Sequence, residues 1–173
     1  MTRHKTDRNS STAARAATLG AIALLGVVAA ATVSAATLSR SVDVSGPPER
    51  VWSMIGAFCA IKDWLPPVGT CVSDGREPPT RTLVTRDGKA TFVETQTSRN
   101  DAEHHYSYVF RSSPLPVTNY ASTIRVEGKG MGLSTVIWTG AYTPEPGQEA
   151  AATAALTGIY DAGLASIKAK LAE

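Results

Sequence analysis

Chemistry in this chain would have to come from a short set of residues. Cys59 and Cys71, its only two cysteines, share one stretch, FCAIKDWLPPVGTC. Paired thiols admit a nucleophile with its base, a metal clip or a disulfide. The pattern is not C-x-x-C, which argues against a redox couple. Nothing in the sequence places either cysteine beside His104 or His105. The two histidines are adjacent, and adjacent strand residues point to opposite faces. No third or fourth ligand stands at a zinc-like spacing, so neither a metal nor a cofactor is expected. Acid–base work inside a cavity could be done by Glu94 with Tyr106, Tyr108 or Tyr120, and more weakly by Asp63, between Lys62 and Trp64. No constellation among these is specific enough to name a reaction.

The start of the chain bears on which thiol chemistry to expect. Arg3, Lys5, Arg8 and Arg15 precede an uncharged, apolar run, and the run ends in the small residues Val33, Ser34 and Ala35. These are the marks of a secretory signal peptide, predicted to span residues 1–35 with cleavage after Ala35. The alternative is a retained N-terminal membrane anchor, since roughly 20 apolar residues suffice to span a bilayer. Cleavage leaves no stable membrane span and predicts an exported protein, periplasmic or secreted. Of the 17 basic and 15 acidic residues, four and one fall in this leader, which leaves the rest with a formal charge of −1. The basic balance is therefore a targeting signal, and no nucleic-acid partner is expected. In an oxidising compartment two cysteines more often make a disulfide. A Cys59–Cys71 bond would close a loop of about a dozen residues and contribute roughly 3 kcal/mol on the chain-entropy model.

Residues 36–173 form one domain's worth of chain with no repeat or linker. TLSRSVDV alternates as a half-buried strand does. SGPP punctuates it, and Val51, Met54, Ile55 and Phe58 then recur at helical spacing. Asp87-Gly88 predicts a hairpin within TRTLVTRDGKATFVETQT. HHYSYVF and NYASTIRVEGKGMGLSTVIWTGAY supply three more strands, the last two joined by GKGMG. A long C-terminal helix carries Leu156, Ile159, Tyr160, Gly163, Ile167 and Leu171 on one stripe. Gly158 and Gly163 each cost about 1 kcal/mol there relative to alanine, which suggests that the helix passes close to a sheet or leaves room beside itself. The pattern is α+β, with a curved antiparallel sheet around one helix. Tyr120 and Ser122 share strand parity with Ile124 and Val126, an apolar face with two hydroxyls. Tyr106, Tyr108 and Phe110 also share a face, as core or as cavity lining. Trp138 is ambiguous, because both faces of LSTVIWTGAY hold apolar residues.

Two segments in this layout, SGPPERVWSMIGAF and SSPLPVTNYASTIRV, resemble the START-like helix-grip superfamily, also called SRPBCC. Its members include polyketide cyclases and dehydrases, lipid-transfer domains and plant abscisic-acid receptors. The resemblance runs from about Leu38 to the C-terminus and is strongest to exported bacterial members. It implies a seven-stranded antiparallel sheet gripping the C-terminal helix, with a largely apolar cavity between them. Two short helices before Val68 would close one end. Ligands would be hydrophobic, of lipid, sterol, polyketide or hormone type.

By match to the plant receptors, Glu94, Tyr120 and Ser122 line the pocket, and Leu115 and Val117 rim its opening. Gly69 stands where those receptors have a ligand-binding lysine, and RDGK replaces their gate loop, so hormone reception of the plant kind is not expected. Exported relatives commonly read Trp-His-Pro where this chain has Trp64-Leu65-Pro66. Leu65 thus adds apolar surface at the predicted entrance. The expected ligand-binding set is Glu94, Tyr106, Tyr108, Tyr120, Ser122, Leu115, Val117, Trp64, Leu65 and Tyr160. The favoured reading is an exported binder of a small hydrophobic ligand. The alternatives are a cyclase- or dehydratase-like enzyme using cavity Glu and Tyr side chains, or an accessory protein for an exported enzyme.

Overall fold

A computed structural model describes residues 34–172. The predicted signal peptide lies almost wholly outside these residues. Strand β1 (Ala36–Ser45) leads into helix α1 (Pro48–Ile55), a single 3-10 turn (Phe58–Ala60) and helix α2 (Ile61–Trp64). Strands β2 (Val68–Ser73), β3 (Thr80–Thr85), β4 (Thr91–Asn100), β5 (His105–Ser112), β6 (Val117–Gly130) and β7 (Leu133–Pro144) follow, then helix α3 (Glu149–Leu171). The seven strands form one antiparallel sheet in the order β1-β7-β6-β5-β4-β3-β2. This is the expected helix-grip arrangement, with consecutive hairpins and one long crossover that brings β1 beside β7.

Local chemistry accounts for the breaks. Pro48 opens α1, where its missing N–H costs nothing. The helix stops at Ile55, so Phe58 belongs to the separate 3-10 turn and not to the amphipathic stripe expected from spacing. Leu65 is extended (φ −99°, ψ 105°), as a residue before proline must be, and this ends α2. The Cys59–Cys71 disulfide ties the 3-10 turn to β2, with Cα atoms 5.5 Å apart. His104 sits in the turn before β5 with φ 52°, not on the strand.

The core fills the space between sheet and α3. Ile124, Val126, Val136, Trp138, Leu156, Tyr160 and Ile167 are all buried there. Of the two helix glycines, only Gly163 has a packing reason. A Cβ at 163 would lie 2.9 Å from Trp138, 3.1 Å from Leu65 and 3.2 Å from Trp64. Gly158 is exposed with open space around it, and the close-approach explanation fails for it. No helix among the described residues is long and apolar enough to cross a membrane.

Candidate ligand-binding site

A cavity of ≈ 210 Å³ lies between α2, the β3–β4 hairpin, β5 and the first half of α3. Ile61 comes from α2 and Leu65 from the residue just after it, Leu83 and Phe92 from the hairpin, Phe110 from β5, and Leu156 and Ile159 from α3. Pro67 and Pro114, both exposed, together with half-buried Ala90 and Leu115, mark where this wall meets the surface. The polar side chains on the wall are Thr85, Glu94, Tyr108, Tyr120 and Trp138.

Glu94 is 4 % exposed and stands directly opposite Arg81 across β3 and β4. The Arg81 Nε donates to Glu94 Oε2 at 2.6 Å. A second guanidinium nitrogen donates to the Phe58 carbonyl, and the guanidinium lies 4.0 Å from the Phe58 ring centroid. The disulfide-bearing turn thus caps the cation. Burial pushes the Glu94 carboxyl up, while the Arg81 guanidinium pulls it back. Burial works most strongly against the charge on Arg81, but Glu94 together with Tyr106 and Tyr108 more than offsets it and keeps the guanidinium charged. Arg81 Nη2 and Gln96 Nε2 are buried without a hydrogen-bond partner.

A neutral network stands on the other side. Ser122 Oγ donates to the Thr139 carbonyl at 2.7 Å and lies 3.0 Å from the Tyr160 hydroxyl. Tyr160 and Tyr120 hydroxyls are 2.7 Å apart. Trp138 Nε1 donates to Ser122 Oγ at 2.9 Å and reaches Tyr108 at 3.2 Å, while its ring stacks on Tyr160 at 4.2 Å. Gly140 makes this possible, since a Cβ there would lie 2.4 Å from the Tyr160 hydroxyl. Burial raises all three phenols: Tyr160 to about 12, Tyr108 and Tyr120 well above their ordinary value.

A family model described as polyketide cyclase / dehydrase and lipid transport matches residues 35–172. The chain belongs to this family. Among solved structures it is similar to the protein XoxI from Bacillus cereus, at 34% identity over 80% of this chain and 96% of that one, TM-score 0.75. An uncharacterized protein from Bacillus thuringiensis is also 34% identical, over 80% of this chain and 100% of that one, TM-score 0.74. The Zhui aromatase/cyclase from Streptomyces sp. R1128 shares the fold at 14% identity, covering 80% and 94%, TM-score 0.65. No curated protein matches. Membership of the polyketide cyclase/dehydrase family supports a hydrophobic-ligand-binding or cyclase-like role, and the fold is the START-like one expected from the sequence.

Within this family fold, five residues of the expected set lie on the cavity wall: Glu94, Tyr108, Tyr120, Leu115 and Leu65. The other five do not. Ser122 and Tyr160 stand behind the wall, bonded to Tyr120 and Trp138. Trp64 packs edge-on against Trp138 at 5.4 Å. Tyr106 is turned toward Trp52 and Phe58, on the far side of Tyr108. Val117 packs at the core's margin, two positions past Leu115 on the start of β6. Asp63 is exposed and paired with Lys62, away from the cavity.

Sequence reasoning missed Arg81. The signal was available, because counting outward equally from the Asp87-Gly88 turn sets Arg81 opposite Glu94. Trp138 resolves as inward, 2 % exposed, with half-buried Ile137 on the outer face. Among the described residues no group of three His, Cys, Asp or Glu stands close enough to hold a metal.

Proposed function

We propose that this protein, exported to an oxidising compartment, binds one small hydrophobic molecule in the cavity and holds it without transforming it. The observation that carries this reading is how the wall's polar groups are occupied. Glu94 is engaged by Arg81, and Tyr120 is bonded into a network of raised phenols. An acid–base catalyst works best with a pKa near the operating pH, and these phenols are moved away from it. Apart from Thr85, the remaining wall is aliphatic and aromatic, as expected of a site that gains affinity from burial.

Size narrows the occupant. A cavity of about 150 Å³ accommodates benzene, and drug-sized sites run from about 300 Å³ upward. At ≈ 210 Å³ the space suits one ring with a short substituent, or a short acyl chain. The disulfide and the leader-like N-terminus support export. Native mass spectrometry of protein purified from the exported fraction is expected to reveal a co-purifying apolar molecule. A clean apo mass, with no response to lipid and polyketide libraries, would sink the proposal.

A cyclase-like reading retains one supporting observation: the Glu94 carboxyl, raised by burial, sits on the wall. It predicts that Glu94→Gln abolishes turnover of a bound polyketide-type compound while preserving its binding. Unchanged turnover removes Glu94 from any mechanism.

A further inference from the structure

We infer that the ligand is a neutral hydroxyl compound, a phenol or short alcohol, and that the site turns away carboxylic acids; this rests on the cavity being a binding site. Proton directions along the wall lead there. Ser122 spends its one proton on the Thr139 carbonyl, so the Tyr160 hydroxyl donates to Ser122 and not the reverse. Tyr120 must then donate to Tyr160. The Tyr108 proton is left with only the Tyr120 oxygen, 3.5 Å away, beyond the normal range for O–H···O bonds. The Tyr108 oxygen already accepts from Trp138. Tyr108 therefore offers the cavity one unspent donor.

Glu94 offers the complement. Its Oε2 takes the Arg81 proton, and among the described residues its Oε1 accepts none. Gln96 is paired with Tyr108 and Glu94 with Phe110, which sets Glu94 and Tyr108 diagonally on the inner face of β4 and β5. Residues so related are within reach of long side chains. One hydroxyl satisfies both, giving its proton to Glu94 and accepting the proton of Tyr108. A ketone answers only Tyr108. A carboxylate would enter beside Glu94 with no new cation, because the cavity wall has no lysine or arginine and the single charge of Arg81 is already balanced by Glu94. An unpaired buried charge is strongly disfavoured.

Titration calorimetry on the intact exported chain with para-ethylphenol, ethylbenzene and para-ethylbenzoate at neutral pH tests this. The phenol is expected to bind on the order of ten-fold more tightly than ethylbenzene, the increment of about one hydrogen bond, and the benzoate more weakly than either. Tyr108→Phe keeps the ring and is expected to bring the phenol-to-ethylbenzene ratio toward one. Equal affinities in the unaltered protein, a tighter benzoate, or an unchanged ratio in Tyr108→Phe overturns the hydroxyl assignment while leaving the binding reading intact. Failure of all three probes to bind counts against the binding reading itself, and the assignment falls with it.

Discussion

Two polar clusters are enclosed by this sheet, and they differ in how completely their atoms are satisfied. Running from the cavity wall to the core behind it, Tyr120, Trp138, Ser122 and Tyr160 form an uncharged relay in which each proton meets an acceptor at ordinary distance. Across from it, Arg81 and Glu94 form a charged pair next to two buried nitrogens, Arg81 Nη2 and Gln96 Nε2, that have no partner. A satisfied neutral network rigidifies the fold that contains it. A buried ion pair is weak evidence for stability, because an apolar pair of similar volume often does as well. The comparison assigns the relay to architecture and the ion pair to the site.

The sharpest way to break that contrast is Arg81→Met. Leaving Glu94 buried without its cation is expected to cost about 3–5 kcal/mol in urea denaturation. Combining Arg81→Met with Glu94→Leu is expected to recover most of that loss. A double variant as unstable as the single one would make the pair architectural after all. Replacing both cysteines by serine is expected to cost about 3 kcal/mol. It should also weaken ligand retention, since the tied turn caps Arg81 and leads into Ile61 and Leu65 on the wall. Stability lost with retention unchanged would separate the staple from the site.

A smaller effect is expected in the relay. Tyr160→Phe deprives the Tyr120 proton of its acceptor and should cost about 1–3 kcal/mol, with little change in ligand preference. A last effect is confined to alkaline pH and is absent at neutral pH. The three phenols are raised when folded, so their contribution is complete below pH 10.0, their unfolded value, and is lost as pH climbs toward about 12, where Tyr160 ionises. Thermal melts across that interval should fall steadily, together with a late tyrosinate absorbance step. A step at the unfolded value in the folded protein would contradict the burial of these rings.

The fold was largely legible because its signals are local. TLSRSVDV alternates, Asp87-Gly88 turns, and the stripe on α3 is periodic, and each became the element it suggested. The site was legible in part. Strand parity placed Tyr120 with Ile124 and Val126 and grouped Tyr108 with Phe110. Parity could not say that Tyr106 turns toward Phe58 and away from the cavity, since all three aromatics share its face. Arg81 escaped notice because arginine is so seldom fully buried. Trp138 could not be oriented while Ile137 beside it was equally apolar. Which hydroxyl donates to which is set by atoms from β6, β7 and α3 meeting in space, and no spacing along the chain records it.

Gly163 has a further consequence. Its missing side chain leaves room into which Trp138 and Leu65 settle, and both of those line the cavity that Gly163 itself never touches. A single methyl at 163 would therefore press on the binding space from behind, through two intermediaries. Anyone wishing to resize the pocket, whether by selection or by engineering, has a control on the buried face of the helix that replaces no ligand-facing residue.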